Sequence, residues 1–479
     1  MDFSKKQDRG MKIHNLKNGT LSDKLIWAVS HGYHRKTEAI LDAKASVNTK
    51  DRNGDPALTI AVRYDKIECM RVLIDAKADI NTKDSNGDPA LTVAILNDRR
   101  DPHCPQALIN AKADVNTQDH NGTSPLILAA RQGKIQCVRA LIDAKSDVNA
   151  KDRNGDSALN VAAYQNQIEC MRALIDAKAG LDMNDRINTA LIVAALTGQS
   201  ACLQALIDAK ANVEATNVLG RTAFILAAYD GHTSCAQVLI KANANLEAKD
   251  NCGWTALTVA AERGHTDYLR VLIEAKVNIH ANNKEKNTAL IVAAQQGHAE
   301  CVQLLINVKA IVNERNREKS TALMESVRRG HTACAHILID AKADVDARDS
   351  KLETALSKAV QKIHIDCVVM LIAAKADVNV SPPSMWGDTL VTWTARTGRH
   401  VCLDLLVDAK ASVDVRNTSG KTALMVAAEH GHSACAQTLI QAKADLEAKQ
   451  NNGYTALMVA VEHGRTACTQ TLIDAKADL

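Results

Sequence analysis

The sequence predicts an all-α protein, a solenoid of about 14 helix-turn-helix units, each joined to the next by a turn. Three observations predict it. The stretch from Thr422 to Asp445 reads TALMVAAEHGHSACAQTLIQAKAD and recurs 33 residues on as TALMVAVEHGRTACTQTLIDAKAD. Looser copies run back towards the N-terminus at nearly the same step. Each copy carries two short apolar stripes at helical spacing, with a break between them. One such unit cannot bury its apolar faces alone, so like units stack, and a chain of 479 residues then needs no single large core. An aromatic share of only 3% suits thin helices packed through Ala, Leu, Ile and Val.

The elements follow in order. Residues 1–19 are polar and basic and read as a tail without the apolar segment of a secretory leader. Residues 20–479 read as one continuous solenoid. Aligned on Ala423, the units fall at Lys24, Ala57, Ala90, Pro125 and onward to Ala456. The step changes near 97–105, 182–189 and 380–389, where loops gain or lose residues and irregularity is expected. Within a unit, Ala423, Leu424, Val426 and Ala427 form the first helical stripe, and Gly431 breaks it. Cys435, Leu439 and Ile440 form the second stripe. Pairs such as Asn53-Gly54 and Asn154-Gly155 then mark a tight turn with positive φ.

These residues resemble the ankyrin repeat. The resemblance rests on the 33-residue period, the TAL tripeptide (SPL at Ser124–Leu126), the Gly-His pairs and the ADVN close, and it spans about residues 20–479. It implies antiparallel helix pairs, finger-like turns and a curved solenoid whose concave face, made of fingertips and first helices, binds other proteins. Three departures stand out. The residue ending the second helix is Lys in thirteen units and Asn243 in the seventh, where the family has Gly. A non-Gly residue in a left-handed conformation costs about 1–2 kcal/mol. The position after TAL is Thr59, Ile127 or Met425 rather than His. Lys286, Lys319 and Leu352 replace fingertip Gly, so irregular fingers are expected in units 9–11.

The ends differ. Lys24, Ser30 and Thr37 stand at core positions of unit 1, as expected of a solvent-facing cap. Unit 14 looks like an interior unit, which predicts either a cap made by Val461 and Thr469 or an exposed apolar end that meets a partner or continues in a longer chain.

Candidate chemistry dissolves into the repeat. Twelve of the 13 cysteines share one position on the apolar face of the second helix, and only Cys252 lies elsewhere. They read as small buried hydrophobes on neighbouring helices roughly 8–10 Å apart, beyond disulfide reach. His-x-x-Cys, as in His432/Cys435, could suggest zinc, but the copies do not converge as a zinc site requires. No phosphate loop or catalytic constellation is visible. The expectation is therefore no enzyme, no cofactor and no metal. A net charge of +3 from 58 basic and 55 acidic residues argues against a nucleic-acid or direct membrane role. The chain reads as cytoplasmic, with the nucleus as the alternative, and as monomeric.

Specificity should sit where the repeat varies. The position two before the Gly of Gly-His should face the groove, and it holds Tyr164, Leu196 and Tyr229 in consecutive units, with Trp254 beside a nearby fingertip. These four are the expected partner-binding anchors. A basic group in units 9–11, Arg315, Arg317, Lys319, Arg328, Arg329 and Lys362, has few offsetting acids in the pattern and would select an acidic segment. The expected function is a non-catalytic protein-interaction scaffold or adaptor with Arg328, Arg329 and Lys362 as charge selectors. The alternative is the substrate-recognition arm of a larger assembly such as a ubiquitin ligase. Another protein is the expected partner, with no small-molecule substrate.

Overall fold

A computed structural model describes residues 19–97, 103–182 and 189–477. Two of the expected irregular loops lie largely outside these residues. Among the described residues, 28 α-helices pair into fourteen repeats. From repeat 2 on, every first helix begins at the position aligned with Ala423, from Ala57 to Ala456. The backbone forms two compact units: Met1–Ala223 with Lys241–Ala244, and Phe224–Ile240 with Asn245–Leu479.

The recurring letters have local causes. The Thr of TAL caps the first helix: Thr422 Oγ1 accepts the Met425 N–H, and Thr321 and Thr288 do the same for Met324 and Ile291. In most of the described fingers an opening Asp or Asn folds the turn. Asp51 Oδ1 accepts the N–H groups of Asn53 and Asp55, both at 2.9 Å, and Asn316 Oδ1 accepts that of Ser320. The Asn of ADVN ties neighbouring repeats: Asn48, Asn81 and Asn116 each accept a backbone N–H one repeat on, from Asp79, Asp114 and Asp147.

The Lys at the end of the second helix takes the left-handed conformation in every repeat but the seventh, where Asn243 does. At Lys342 (φ 65°) the two bonds of a Schellman cap form, Lys342 N–H to the Ile339 carbonyl and Ala343 N–H to that of Leu338. Lys286, Lys319 and Leu352 likewise sit at φ 59°, 58° and 62°. Their fingers are not irregular, contrary to expectation. Each closes with the same bond as Gly54, whose N–H reaches Asp51, because the Asx turn sets the path and the tip residue follows. The finger before repeat 12 does differ: Pro383–Met385 forms a 3₁₀ turn that ends on left-handed Trp386, which is 75% exposed.

The core takes nearly the whole of each first helix, as at Ala423–Ala428, and one stripe of each second helix, as at Cys69, Met70 and Leu73. The twelve repeat-position cysteines are all buried; in repeat 8 Tyr268 fills the same position, and in repeat 1 the exposed Lys36 holds it. Thr37, aligned with Met70, is core and no solvent-facing residue: it is 0% exposed, and its hydroxyl donates to the Tyr33 carbonyl and lies 3.7 Å from Cys69 Sγ. Tyr268, also fully buried, donates to the Phe224 carbonyl at 2.9 Å. In repeat 14, Met458, Val461 and Ile473 are exposed.

Candidate functional site

The variable column lies in the last turn of each first helix, against the fingers. Most of its charged members are already engaged, several with the residue eight positions earlier at the base of their own finger. Arg63 pairs with Asp55 and, at 2.7 Å, with Asp84 of the next finger. Arg396 grips Asp388 through Nε at 2.6 Å and Nη2 at 3.1 Å. Lys421 pairs with Glu429 at 2.7 Å, and Gln361 donates to Glu353 at 3.0 Å. Arg131 reaches across to Asp152.

The predicted anchors divide between the two units. In the first, Tyr164 is 60% exposed, Leu96 is exposed as well, and Leu196 is half-buried. In the second, Tyr229 is half-buried with the Arg263 guanidinium 3.7 Å from its ring centre, a cation–π stack. Its carbonyl accepts from His265 Nε2 at 3.1 Å. Trp254 is half-buried, and its backbone N–H closes a finger on Asp250.

The basic group is more balanced than its pattern suggests. Arg328 donates from Nε and Nη2 to Glu325 Oε2, at 3.0 and 2.6 Å. Arg317 faces Glu285 at 3.8 Å, and Arg315 donates to the Arg348 carbonyl. Arg328 and Lys362 line one cleft of about 380 Å³ with Glu318, Glu325, Asp349 and Glu353. Arg329 is exposed beside it.

Two residues of this cleft escape a reading of the variable column, because they stand at a core position. Glu325 and Lys358 align with Val426 and Val292, in a stripe that is otherwise apolar. Both are buried. Lys358 Nζ lies 2.6 Å from Asp349 and 2.8 Å from Glu353. Burial pushes the Glu353 carboxyl up, but hydrogen bonds from Lys358, Ser384 and Gln361 outweigh it and hold the group at about 2. Reading down the core stripe for charge would have found the pair. The next residue in that stripe is Trp393, with the Arg399 guanidinium 4.3 Å from its ring centre.

For metals, one group of three potential ligands occurs among the described residues, Asp88, Asp119 and His120. Asp119 Oδ1 already accepts the N–H groups of Asn121 and Thr123. No helix among the described residues is long and apolar enough to cross a membrane.

The family model described as ankyrin repeats (3 copies) matches residues 25–119, 100–187, 179–250, 242–316, 275–349, 308–382, 356–450 and 391–479. Among curated proteins, none matches the chain.

Proposed function

The chain belongs to the ankyrin-repeat family, and from that premise we propose that it is a non-catalytic scaffold or adaptor that binds a partner protein in the groove between fingers and first helices. Ankyrin repeats are in general protein-interaction modules. The observation that carries the reading is Tyr164. At a position where Arg63, Arg396 and Glu429 are tied to their own fingers, it presents an aromatic ring that is 60% exposed. Aromatic groups of this kind, on a face that otherwise carries engaged polar residues, are typical binding anchors. Leu196, Tyr229 and Trp254 extend the set, with Arg328, Arg329 and Lys362 selecting charge. Affinity capture on the Tyr164→Ser/Tyr229→Ser variant tests it: the partner retained by the wild type should be lost at unchanged thermal stability, and equal capture would refute the site.

A further inference from the structure

Repeats 10 and 11 carry charge where their neighbours carry branched apolar side chains, and the position is buried. Glu325 is 4% and Lys358 8% exposed, against 1% for Val292 and 0% for Val426. Buried charges seldom stabilise a fold better than apolar residues of the same shape, so their presence calls for another reason. The network they belong to is internally complete. Glu325 accepts from Ser320 on one oxygen and twice from Arg328 on the other. Asp349 accepts the N–H groups of Lys351 and Glu353 on Oδ1 and faces Lys358 with Oδ2. Glu353 accepts from Lys358, Gln361 and Ser384.

The acids of the cleft floor are thus spent, and the donors left over are cationic. Arg328 commits Nε and Nη2 but not Nη1. The Lys351 and Lys362 side chains stand exposed at the rim, faced there by one exposed carboxylate, Glu318. The bidentate pair to Glu325 fixes the plane of the Arg328 guanidinium, so its free edge is presented in one orientation. A volume of about 380 Å³ admits a side chain or two. Its polar, charged lining is unlike the mostly apolar walls of a small-molecule site.

We propose that this cleft receives a carboxylate side chain from an acidic segment of a partner protein, held by Arg328 Nη1 with Lys351 and Lys362, and that Glu325 and Lys358 are positioning residues for it. The inference rests on the reading of the chain as a protein-binding scaffold. A nucleic acid is the less suitable occupant. The charges around the cleft balance, four acids against four bases among its lining residues, so a phosphate chain finds no basic track to follow.

The test is fluorescence anisotropy on the full chain with a labelled glutamate-rich peptide, its glutamine counterpart and a single-stranded oligonucleotide. The glutamate peptide should bind about tenfold more tightly than the glutamine one, and Lys351→Gln/Lys362→Gln should remove about that factor. Arg328→Gln should do the same. Because it also strips Glu325 of its cation, the lysine variant serves as the measurement free of any folding effect. Glu325→Gln should weaken the peptide while leaving the unfolding profile near that of the wild type. Equal binding of both peptides, indifference to the lysine substitutions, or tighter oligonucleotide binding lost through the same residues would each overturn the proposal. Partner capture through Tyr164 and Tyr229 is read separately, so the cleft can fail while the scaffold reading stands.

Discussion

Lys421 and Glu429 form an ion pair at 2.7 Å that reverses, one repeat later, the signs of the pair between Asp388 and Arg396. Both join the base of a finger to the last turn of its own first helix, but their surroundings differ. Asp388 is 0% exposed, whereas Lys421 and Glu429 side chains are each 23% exposed. Arg396→Ala leaves a buried carboxylate with only Asn417 as a side-chain partner and should cost about 3 kcal/mol. Lys421→Ala should cost about 1 kcal/mol or less. Urea unfolding of the two variants checks the ranking.

Thr59 and Thr92 are the two buried side-chain polar groups without a hydrogen-bond partner among the described residues. The cause lies three residues earlier. In repeat 8 the cap Thr255 shares hydrogen bonds with Thr258, but in repeats 2 and 3 that cap is Pro56 or Pro89, which offers no hydroxyl. Thr59→Val should therefore stabilise by about 1 kcal/mol, because an unsatisfied buried hydroxyl costs of that order. Thr258→Val, which breaks the capping box, should destabilise by a similar amount. Thermal unfolding of both proteins distinguishes the two directions.

Ile363 sits at φ 61° where Gly264, Gly297 and Gly431 close the first helices of other repeats. A β-branched residue there is a strained choice. Ile363→Gly should raise stability by about 1 kcal/mol, and Lys342→Gly by a similar or smaller amount. Chemical denaturation midpoints check both.

His265 and His331 give the second unit a pH dependence. His265 and His298 present Nε2 to the carbonyls of Tyr229 and Glu262 one repeat back, at 3.1 and 2.9 Å. A carbonyl only accepts, so the neutral ring carries its proton on Nε2, and Nδ1 faces the glycine of the preceding repeat. A Cβ on Gly231 would lie 2.7 Å from the Nδ1 of His265. Burial lowers the pKa of His265, helped by Arg263 and His232 and opposed by Asp230. Burial lowers that of His331 too, with Arg329, His298 and His364 in support and a backbone hydrogen bond to Gln295 opposing. A depressed folded pKa means stability that is present above the ordinary value of 6.5 and lost as pH falls through the folded value. Urea midpoints measured from pH 7.5 downward should fall for the wild type and fall less for His265→Gln. Equal slopes would remove the histidine from the account.

The cysteine column makes a chemical prediction. Burial pushes Cys170, Cys235, Cys334, Cys367 and Cys435 up to about 11, and Cys252 is the exposed thiol. A thiol reagent at neutral pH should modify Cys252 promptly in the folded chain and all 13 cysteines only after denaturation.

The period, the helix starts and the cysteine column were legible in the sequence because they recur in twelve or more of the fourteen repeats in one register. Thr37 reads as a surface residue because it is polar, but it aligns with Met70, the core position next to the cysteine column. The fingertips of Lys286 and Leu352 read as irregular because they lack Gly, whereas Asn283 and Asp349 set the turn. At the candidate site, the exposed ring of Tyr164 lies on the column where variation was sought. The engagement of Arg328 by Glu325 does not show in the variable column, since it depends on a charge placed in the core stripe three residues earlier.

The measurement closest to the central claim is quantitative affinity capture on the full chain, comparing wild type with Tyr164→Ser/Tyr229→Ser and with a Val401→Ser control, an exposed residue in the second helix of repeat 12. The account predicts one or more proteins retained by the wild type and the control and depleted by the double variant, with thermal unfolding unchanged. Identical retention by all three chains would contradict it.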